Sequence, residues 1–233
     1  MSEQLPLFRP RSDASFANFW VAAENAACVQ ALRAWLAEPG SGLFFLAGNT
    51  GSGRSHLLQA AAAQPDAVYL PLAELAAAEP AEVLEGLEHA PLLCLDDVDA
   101  VSADPDWCEQ LFHLFNRRHV ANSGHKLLVS AELPPAALTC ALPDLQSRLS
   151  WGGSFRLHAL GDEDCIAALQ LRARERGIEL PGEVAAYILT RHQRGFPALL
   201  QLLQELDRDS LAEQKRITIP FVRRYFAVAN AAR

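Results

Sequence analysis

The chain has 233 residues, of which 50% are apolar and 21% charged, and its formal net charge is -8. This composition is typical of a folded globular protein and excludes an intrinsically disordered chain. The acidic balance argues against a general DNA-coating surface, so any nucleic-acid role would require a local basic patch.

The sequence predicts neither an export signal nor a membrane span. The start, MSEQLPLFRP, lacks the basic and then apolar layout of an export signal. No segment approaches the roughly 18 to 20 continuous apolar residues of a membrane span. The five cysteines form no CxxC pair and no metal-ligand spacing, and are typical of reduced core residues. We therefore expect a cytoplasmic protein without membrane contact.

Short apolar runs alternate with helical segments over the first two thirds of the chain. Helical character follows Gly53 and returns at 106–121. Strands and helices in alternation predict an α/β fold with a five-stranded parallel sheet covered on both faces. The predicted strands are 43–47, 67–70, 92–95, 126–130 and, from a weaker signal, 155–157.

The pattern becomes all-helical after about residue 158. We predict that Asp162 caps a helix running to Arg176, and that Pro181, Pro197 and Pro220 lie where later helices begin. The first residues carry two prolines and little periodicity, as expected of a flexible tail. The predicted units are a tail at 1–15, an α/β domain at 16–157 and a small helical domain at 158–233.

A glycine-rich segment follows the first predicted strand. Two glycines five residues apart precede a basic residue and a hydroxyl, which is the pattern of a phosphate-binding loop. Glycines let successive backbone N–H groups point at phosphate oxygens, and the next helix adds its positive N-terminus. An ordinary glycine turn is the alternative, which the flanking strand and helix disfavour. The predicted nucleotide-binding residues here are Gly48, Gly51, Ser52, Gly53, Arg54, Ser55 and His56.

Arg54 stands where lysine is usual in this pattern. Lysine is a compact point charge, whereas a guanidinium is broader and prefers two-pronged contacts. We expect nucleotide binding to survive this change, with fast hydrolysis less assured. Ser55 would ligate Mg²⁺ if the metal accompanies the nucleotide.

Polar residues end two further predicted strands. Asp96 and Asp97 follow a buried run, an arrangement in which the first carboxylate holds Mg²⁺ and the second polarises the attacking water. A strand-end acid that caps the next turn is the alternative. Ser130 and Glu132 end the following strand, where a polar side chain can sense the terminal phosphate. On their own, these two residues would be interpreted as ordinary polar residues of a loop.

Several stretches carry a family resemblance. They are FANF at 16–19 with Asn25, GSGRSHLL in the glycine loop, the double acid, LPDLQSRLSWG at 142–152 and LQLRARERGIELP at 169–181. With these stretches the chain resembles the AAA+ ATPases over nearly its whole length. Within that class it is similar to the replication-initiator group and most of all to the DnaA regulatory inactivator (Hda) family.

The resemblance implies roles for residues that have no motif of their own. It places Phe16, Asn18, Phe19 and Asn25 beside the adenine base, and makes the helical domain a lid. It makes Arg148 an arginine finger that enters a neighbouring molecule's nucleotide site and stabilises the transferring phosphoryl group. Without the family, Arg148 would most simply be a surface or salt-bridging arginine.

The N-terminal tail contains a short docking motif. Its residues, Gln4, Leu5, Pro6, Leu7 and Phe8, resemble the peptide by which bacterial proteins bind the DNA polymerase sliding clamp. Leu7 and Phe8 would fill an apolar pocket while Gln4 hydrogen-bonds at its rim. In an arbitrary chain, five such residues would be interpreted as tail sequence without a binding function.

Two departures from the family pattern bear on catalysis and DNA binding. Pro197 occupies the region where the lid of an AAA+ protein supplies a second sensing arginine, which leaves Arg191 or Arg194 as substitutes. With Arg54, this fits a chain that holds ADP as a structural ligand, with Mg²⁺ optional. The initiator's helix-turn-helix is also missing, so we expect contact with DNA only indirectly.

The resemblance implies a regulator of replication initiation. Its partners would be the sliding clamp and the initiator DnaA, whose ATP hydrolysis Arg148 would stimulate so that re-initiation is prevented. An independent AAA+ ATPase acting as a loader or remodeller is the alternative. A DNA-binding initiator relative, with Arg223 and Arg224 as contacts, is a third. The sequence leaves open self-association and the choice between ADP and ATP.

Overall fold

Five parallel strands form one sheet in the computed structural model, which describes residues 13–121, 124–191 and 195–231. The prediction of a five-stranded parallel sheet is confirmed, including its weakest strand. The spatial order is β2-β3-β4-β1-β5. The strands are β1 (Gly42–Gly48), β2 (Ala67–Pro71), β3 (Leu92–Asp96), β4 (Lys126–Ala131) and β5 (Gly153–Leu157).

Alternating side chains of the strands build one apolar core on each face of the sheet. In β1, Phe45 and Ala47 belong to one core, whereas Phe44 and Leu46 belong to the other. This period of two is why the short apolar runs read as strands buried on both faces. Because all strands run the same way, the carboxyl ends of β1, β3 and β4 meet at one edge.

Helices of the first unit, Met1–Ala159, cover both faces of the sheet. Helices α1 (Ala26–Ala37) and α2 (Arg54–Ala61) contribute to the core that contains Phe44. The opposite core takes residues from α3 (Leu72–Leu75), α4 (Pro80–Val83), α5 (Pro105–Ala121) and α6 (Pro143–Leu149). Short 3₁₀ turns lie at Ala23–Asn25, Leu87–His89, Val98–Ala100 and Pro135–Ala137.

The second unit, Leu160–Arg233, has only helices among its described residues. They are α7 (Asp162–Glu175), α8 (Gly182–Arg191), α9 (Gly195–Glu213) and α10 (Ile219–Ala231). Leu169, Ile188 and Leu203 are among the residues of their common core. No helix in the described ranges is both long and apolar enough to cross a bilayer.

The start of α7 differs from the prediction. Asp162 is its first helical residue, and the N-cap is Gly161, which makes no side-chain capping bond. The prediction that Asp162 caps the helix was therefore wrong. Three consecutive acids in the first turn, Asp162 to Asp164, instead place negative charge at the positive end of the helix dipole.

Arg118 on α5 is a buried connection between segments of the first unit. Its Nη1 donates to the carbonyl of Leu87 at 2.6 Å, and its Nη2 donates to those of Ala90 at 3.0 Å and Lys126 at 2.8 Å. Burial lowers the pKa of Arg118 to about 10. The guanidinium therefore satisfies carbonyls at the amino ends of β3 and β4.

We expect Arg118→Met to lower the free energy of unfolding by about 3 kcal/mol, because one buried and two partly buried carbonyls lose their donor. Urea denaturation measures this loss. Arg117→Met is the matched control, since Arg117 is exposed and lies 3.5 Å from Glu88. Its expected cost is below about 1 kcal/mol. Equal losses for the two variants would contradict a connecting role for Arg118.

Candidate functional site

The glycine loop lies between the end of β1 and the start of α2, at the carboxyl edge of the sheet. Gly51 has φ +83° and Gly53 has φ +100°, in the left-handed region that glycine adopts at low cost. The backbone N–H of Ser52 donates to the carbonyl of Asn49 at 3.0 Å and closes the turn. The loop thus has the curled backbone that a phosphate cradle requires.

An N-terminal segment packs directly on this loop. The Phe19 ring lies so near Gly53 that a Cβ there would be 2.6 Å from Phe19 Cε2. The rings of Phe19 and His56 are 5.4 Å apart, and His56 Nε2 lies 2.9 Å from the carbonyl oxygen of Ser15. The structure therefore brings Phe19 and His56 together at the loop, and their contact with a base stays a prediction.

Asn25 and Asn18 support this segment through the backbone. The Asn25 side chain is fully buried, donates to the carbonyl of His158 at 2.9 Å and accepts from its N–H at 2.8 Å. Asn18 accepts a bond from the N–H of Ser15 at 3.0 Å. Both ends of the Asn25 amide are thus engaged by the main chain. In the same segment, the guanidinium of Arg33 lies over the Phe16 ring, with Cζ 5.3 Å from the ring centroid.

Arg54 is buried and folds back across the loop. Its Nη1 donates to the carbonyl of Gly48, and its Nη2 donates to Asp97 Oδ1 at 2.7 Å. Burial, and then the charge of Asp96, raise the pKa of Asp97 to about 6, although Arg54 acts in the opposite direction. Both Nη atoms of Arg54 are therefore engaged within the protein, one by a carbonyl and one by a carboxylate.

Asp96 is the centre of a buried hydrogen-bond network. Its Oδ2 accepts from Tyr69 Oη at 2.7 Å, and its Oδ1 accepts from Ser130 Oγ. Ser130 Oγ in turn accepts from the N–H of Asp97 at 3.0 Å. Gln59 Nε2 donates to Tyr69 Oη at 3.0 Å, and burial raises the pKa of Tyr69 above its ordinary range. The predicted metal carboxylate and the predicted sensor are thus bonded to each other.

Glu132 ties the end of β4 to the glycine loop. Its Oε1 accepts from Thr50 Oγ1 at 2.5 Å, and this bond lowers the pKa of Glu132. Its backbone N–H donates to Asp99 Oδ2 at 3.2 Å. Glu132 therefore lies at the edge of the loop, and sensing of a phosphate by Glu132 or Ser130 stays a prediction.

The loop residues fit a phosphate-bearing ligand. Ser52 Oγ is buried without a hydrogen-bond partner among the described residues, and it lies against Gly48, where an added Cβ would be 2.7 Å from it. Ser55 is half-buried in the first turn of α2. A metal is a poorer fit, because both oxygens of the buried Asp96 carboxylate already accept hydrogen bonds, from Tyr69 and from Ser130.

Arg148 lies on α6 with its guanidinium stacked on the surface. Its Cζ is 3.9 Å from the centroid of the Trp151 ring and 5.7 Å from that of Phe112. Trp151 is 59% exposed and Arg148 is half-buried. The guanidinium is therefore held by aromatic faces at a surface that another molecule can reach.

Some predicted features fall outside the described residues. The tail motif at 4–8 and Arg194 are among them. Arg191, the other candidate for a second sensing arginine, ends α8 with its Cζ 5.6 Å from the ring centroid of Tyr187. Its role toward a nucleotide stays a prediction.

Sequence reasoning missed Tyr69 and Thr50 at the site and Trp151 beside Arg148. One feature of the sequence could have indicated Tyr69: its hydroxyl is the polar group in the otherwise apolar run AVYLP, which forms the strand β2 next to β3. Thr50 had none beyond its place within the glycine loop. Trp151 stood in the SRLSWG segment, but only the turn after α6 brings its ring under Arg148.

We expect Gly53→Ala to weaken ADP binding at least about tenfold and to destabilise the chain by about 2 kcal/mol, because its Cβ meets the Phe19 ring and its φ is left-handed. Calorimetric titration and urea unfolding measure the two effects. Gly86→Ala is the control, since Gly86 has φ +76° with open space around its Cβ. It should cost only about 1 kcal/mol and leave ADP binding unchanged. An unaltered ADP affinity in Gly53→Ala would contradict a cradle at this loop.

Solved structures and a family model match this arrangement. A family model described as "Hda, lid domain" matches residues 162–226. Domain III of the Thermotoga maritima replication initiation protein DnaA is similar at TM-score 0.77 and 22% identity, over 91% of this chain and 94% of that one. AMPPCP-bound DnaA from Aquifex aeolicus is similar at TM-score 0.68 and 21% identity, over 85% and 66%. The Thermotoga maritima RuvB Holliday junction branch migration motor is similar at 0.65 and 17%, over 94% and 72%.

The parallel sheet, the glycine loop at its carboxyl edge and a helical unit give this chain a P-loop AAA+ fold. The family model matches residues 162–226 of the helical unit, and the likeness to DnaA domain III shows a shared fold. These two findings relate the chain to Hda in its helical unit and to DnaA in its fold.

Proposed function

We propose that this chain is a regulator of replication initiation that couples the sliding clamp to the initiator DnaA and stimulates ATP hydrolysis by DnaA. In this proposal the tail at 4–8 binds the clamp and Arg148 enters the nucleotide site of the initiator. Hydrolysis leaves the initiator in its ADP form and prevents re-initiation. DNA is contacted indirectly, through the clamp.

The observation that carries the proposal is the contrast between Arg148 and the chain's own loop. Arg148 is at the surface on an aromatic support, as a group that acts on another molecule must be. In the chain's own loop, Arg54 pairs with Asp97, the residue expected to polarise water. The lid-domain match and the DnaA-like fold support the replication role.

The glycine loop would hold ADP as a structural ligand. The DnaA structure from Aquifex aeolicus is AMPPCP-bound, which supports a nucleotide at the equivalent loop here. Gly51, Ser52 and Gly53 would surround the phosphates, with Phe19 and His56 beside the base. The domain limits at 16–157 and 158–233 and the cytoplasmic location remain part of the proposal.

The test measures initiator ATP hydrolysis with clamp loaded on DNA, with and without this chain. The proposal expects a large acceleration that requires all three components and ADP that co-purifies with the chain. No acceleration would contradict it. Rapid ATP turnover by the isolated chain, abolished by Asp97→Asn, would instead support the independent ATPase.

A further inference from the structure

Both carboxylates expected to serve Mg²⁺ or the attacking water are engaged by other groups of the protein. Asp96 is 2% exposed, and each of its oxygens accepts a bond from a hydroxyl, of Tyr69 on one side and of Ser130 on the other. Asp97 pairs with Arg54 through Oδ1, and its side chain is 35% exposed. At Asp96 a metal ion would have to enter a buried network in which both carboxylate oxygens are in use.

The hydroxyl of Tyr69 is held in its donating orientation. Gln59 Nε2 donates to Tyr69 Oη, so the phenol proton points to Asp96 Oδ2. The positive end of the O–H dipole therefore lies where a cation would approach this oxygen. A carboxylate that already accepts hydrogen bonds from buried hydroxyl groups has a lower affinity for a divalent ion. The ion would displace a hydroxyl donor, and that donor would then be buried without a hydrogen-bond partner.

Arg54 provides positive charge without a metal. A guanidinium carries a positive charge and enough N–H donors for two phosphate oxygens at once. These donors contact the Gly48 carbonyl and Asp97, so the guanidinium and its charge already lie at the loop.

We propose that this loop binds the diphosphate of a nucleoside diphosphate without a divalent cation. Arg54 supplies the positive charge, and Tyr69 is the positioning residue that keeps Asp96 from recruiting Mg²⁺. The inference rests on the proposed nucleotide binding and adds to it the form in which the ligand is bound.

The test is titration of the full chain with fluorescent ADP in Mg²⁺ and in EDTA. For the wild type we expect dissociation constants that agree within about threefold. Tyr69→Phe should bind ADP about tenfold more tightly in Mg²⁺ than in EDTA, because one Asp96 oxygen becomes available. Ser130→Ala, which frees the other oxygen, should shift in the same direction. Mn²⁺ electron paramagnetic resonance should show metal held with ADP by these variants and not by the wild type.

Tyr225→Phe is the matched control. It removes the same hydroxyl, which donates to Glu205 Oε2 at 2.5 Å in the helical unit. It should bind ADP like the wild type in both buffers. A wild-type affinity that falls more than about tenfold in EDTA would overturn this inference while leaving nucleotide binding intact. Variants that hold no Mn²⁺ would overturn the role of Tyr69. Absence of ADP binding in both buffers would overturn the inference and the proposed nucleotide site together.

Discussion

Arg148→Ala is expected to return the initiator's ATP hydrolysis to its unstimulated rate, a loss of about a thousandfold at saturating clamp and DNA. The guanidinium is the charge that would stabilise the transferring phosphoryl group. Its stacking on Trp151 and Phe112 limits the conformations that must be ordered on docking. Single-turnover hydrolysis of labelled ATP by the initiator measures the effect.

Two further variants separate this role from docking. Arg156→Ala removes an exposed arginine from β5 and should leave the stimulation unchanged. Deletion of residues 4–8 should lower the stimulation by removing the local concentration that the clamp provides, and excess chain should restore it. Excess Arg148→Ala chain should restore nothing. Full stimulation by the Arg148→Ala chain would exclude the finger.

The sheet could be predicted from sequence because its signal is local. Each run such as 43–47 or 92–95 is short, apolar on both faces and bounded by loop residues, so the period and length suffice. The spatial order of the strands has no such local signal, because β1 lies between β4 and β5, which are both distant from it in sequence. The glycine loop was likewise visible, because its spacing is dictated by backbone geometry.

The bonds inside the site could not be predicted in the same way. Arg54 and Asp97 are 43 residues apart, and Tyr69 and Asp96 are 27 apart. Their pairing depends on which strands adjoin and how far each side chain reaches, and neither is a local property. The prediction that Asp162 caps α7 was wrong for a related reason. An acid near the start of a helix is either the cap or a charge in the first turn, and a shift of one residue in the helix start decides which.

Arg54→Ala is expected to weaken ADP binding about a hundredfold, because the diphosphate loses two charge-assisted hydrogen bonds in a partly dry loop. Arg54→Lys should lose only about tenfold, since it retains the charge and loses the two-pronged contact. Calorimetric titration of the full chain measures both. Unchanged affinity in Arg54→Ala would show that Arg54 serves the loop and not the ligand.

The ion pair between Arg54 and Asp97 allows an experiment to distinguish two roles of Arg54, binding the ligand and holding the loop. If phosphate and Asp97 compete for the same guanidinium, Asp97→Asn releases Arg54 and ADP binds more tightly than in the wild type. In the Arg54→Ala background the same substitution has no guanidinium to release, so the gain should disappear. A double-mutant cycle in ADP affinity therefore reports the competition directly. If Arg54 were only a structural partner of Asp97, Asp97→Asn would weaken ADP binding by loosening the loop, and the cycle would have the opposite sign.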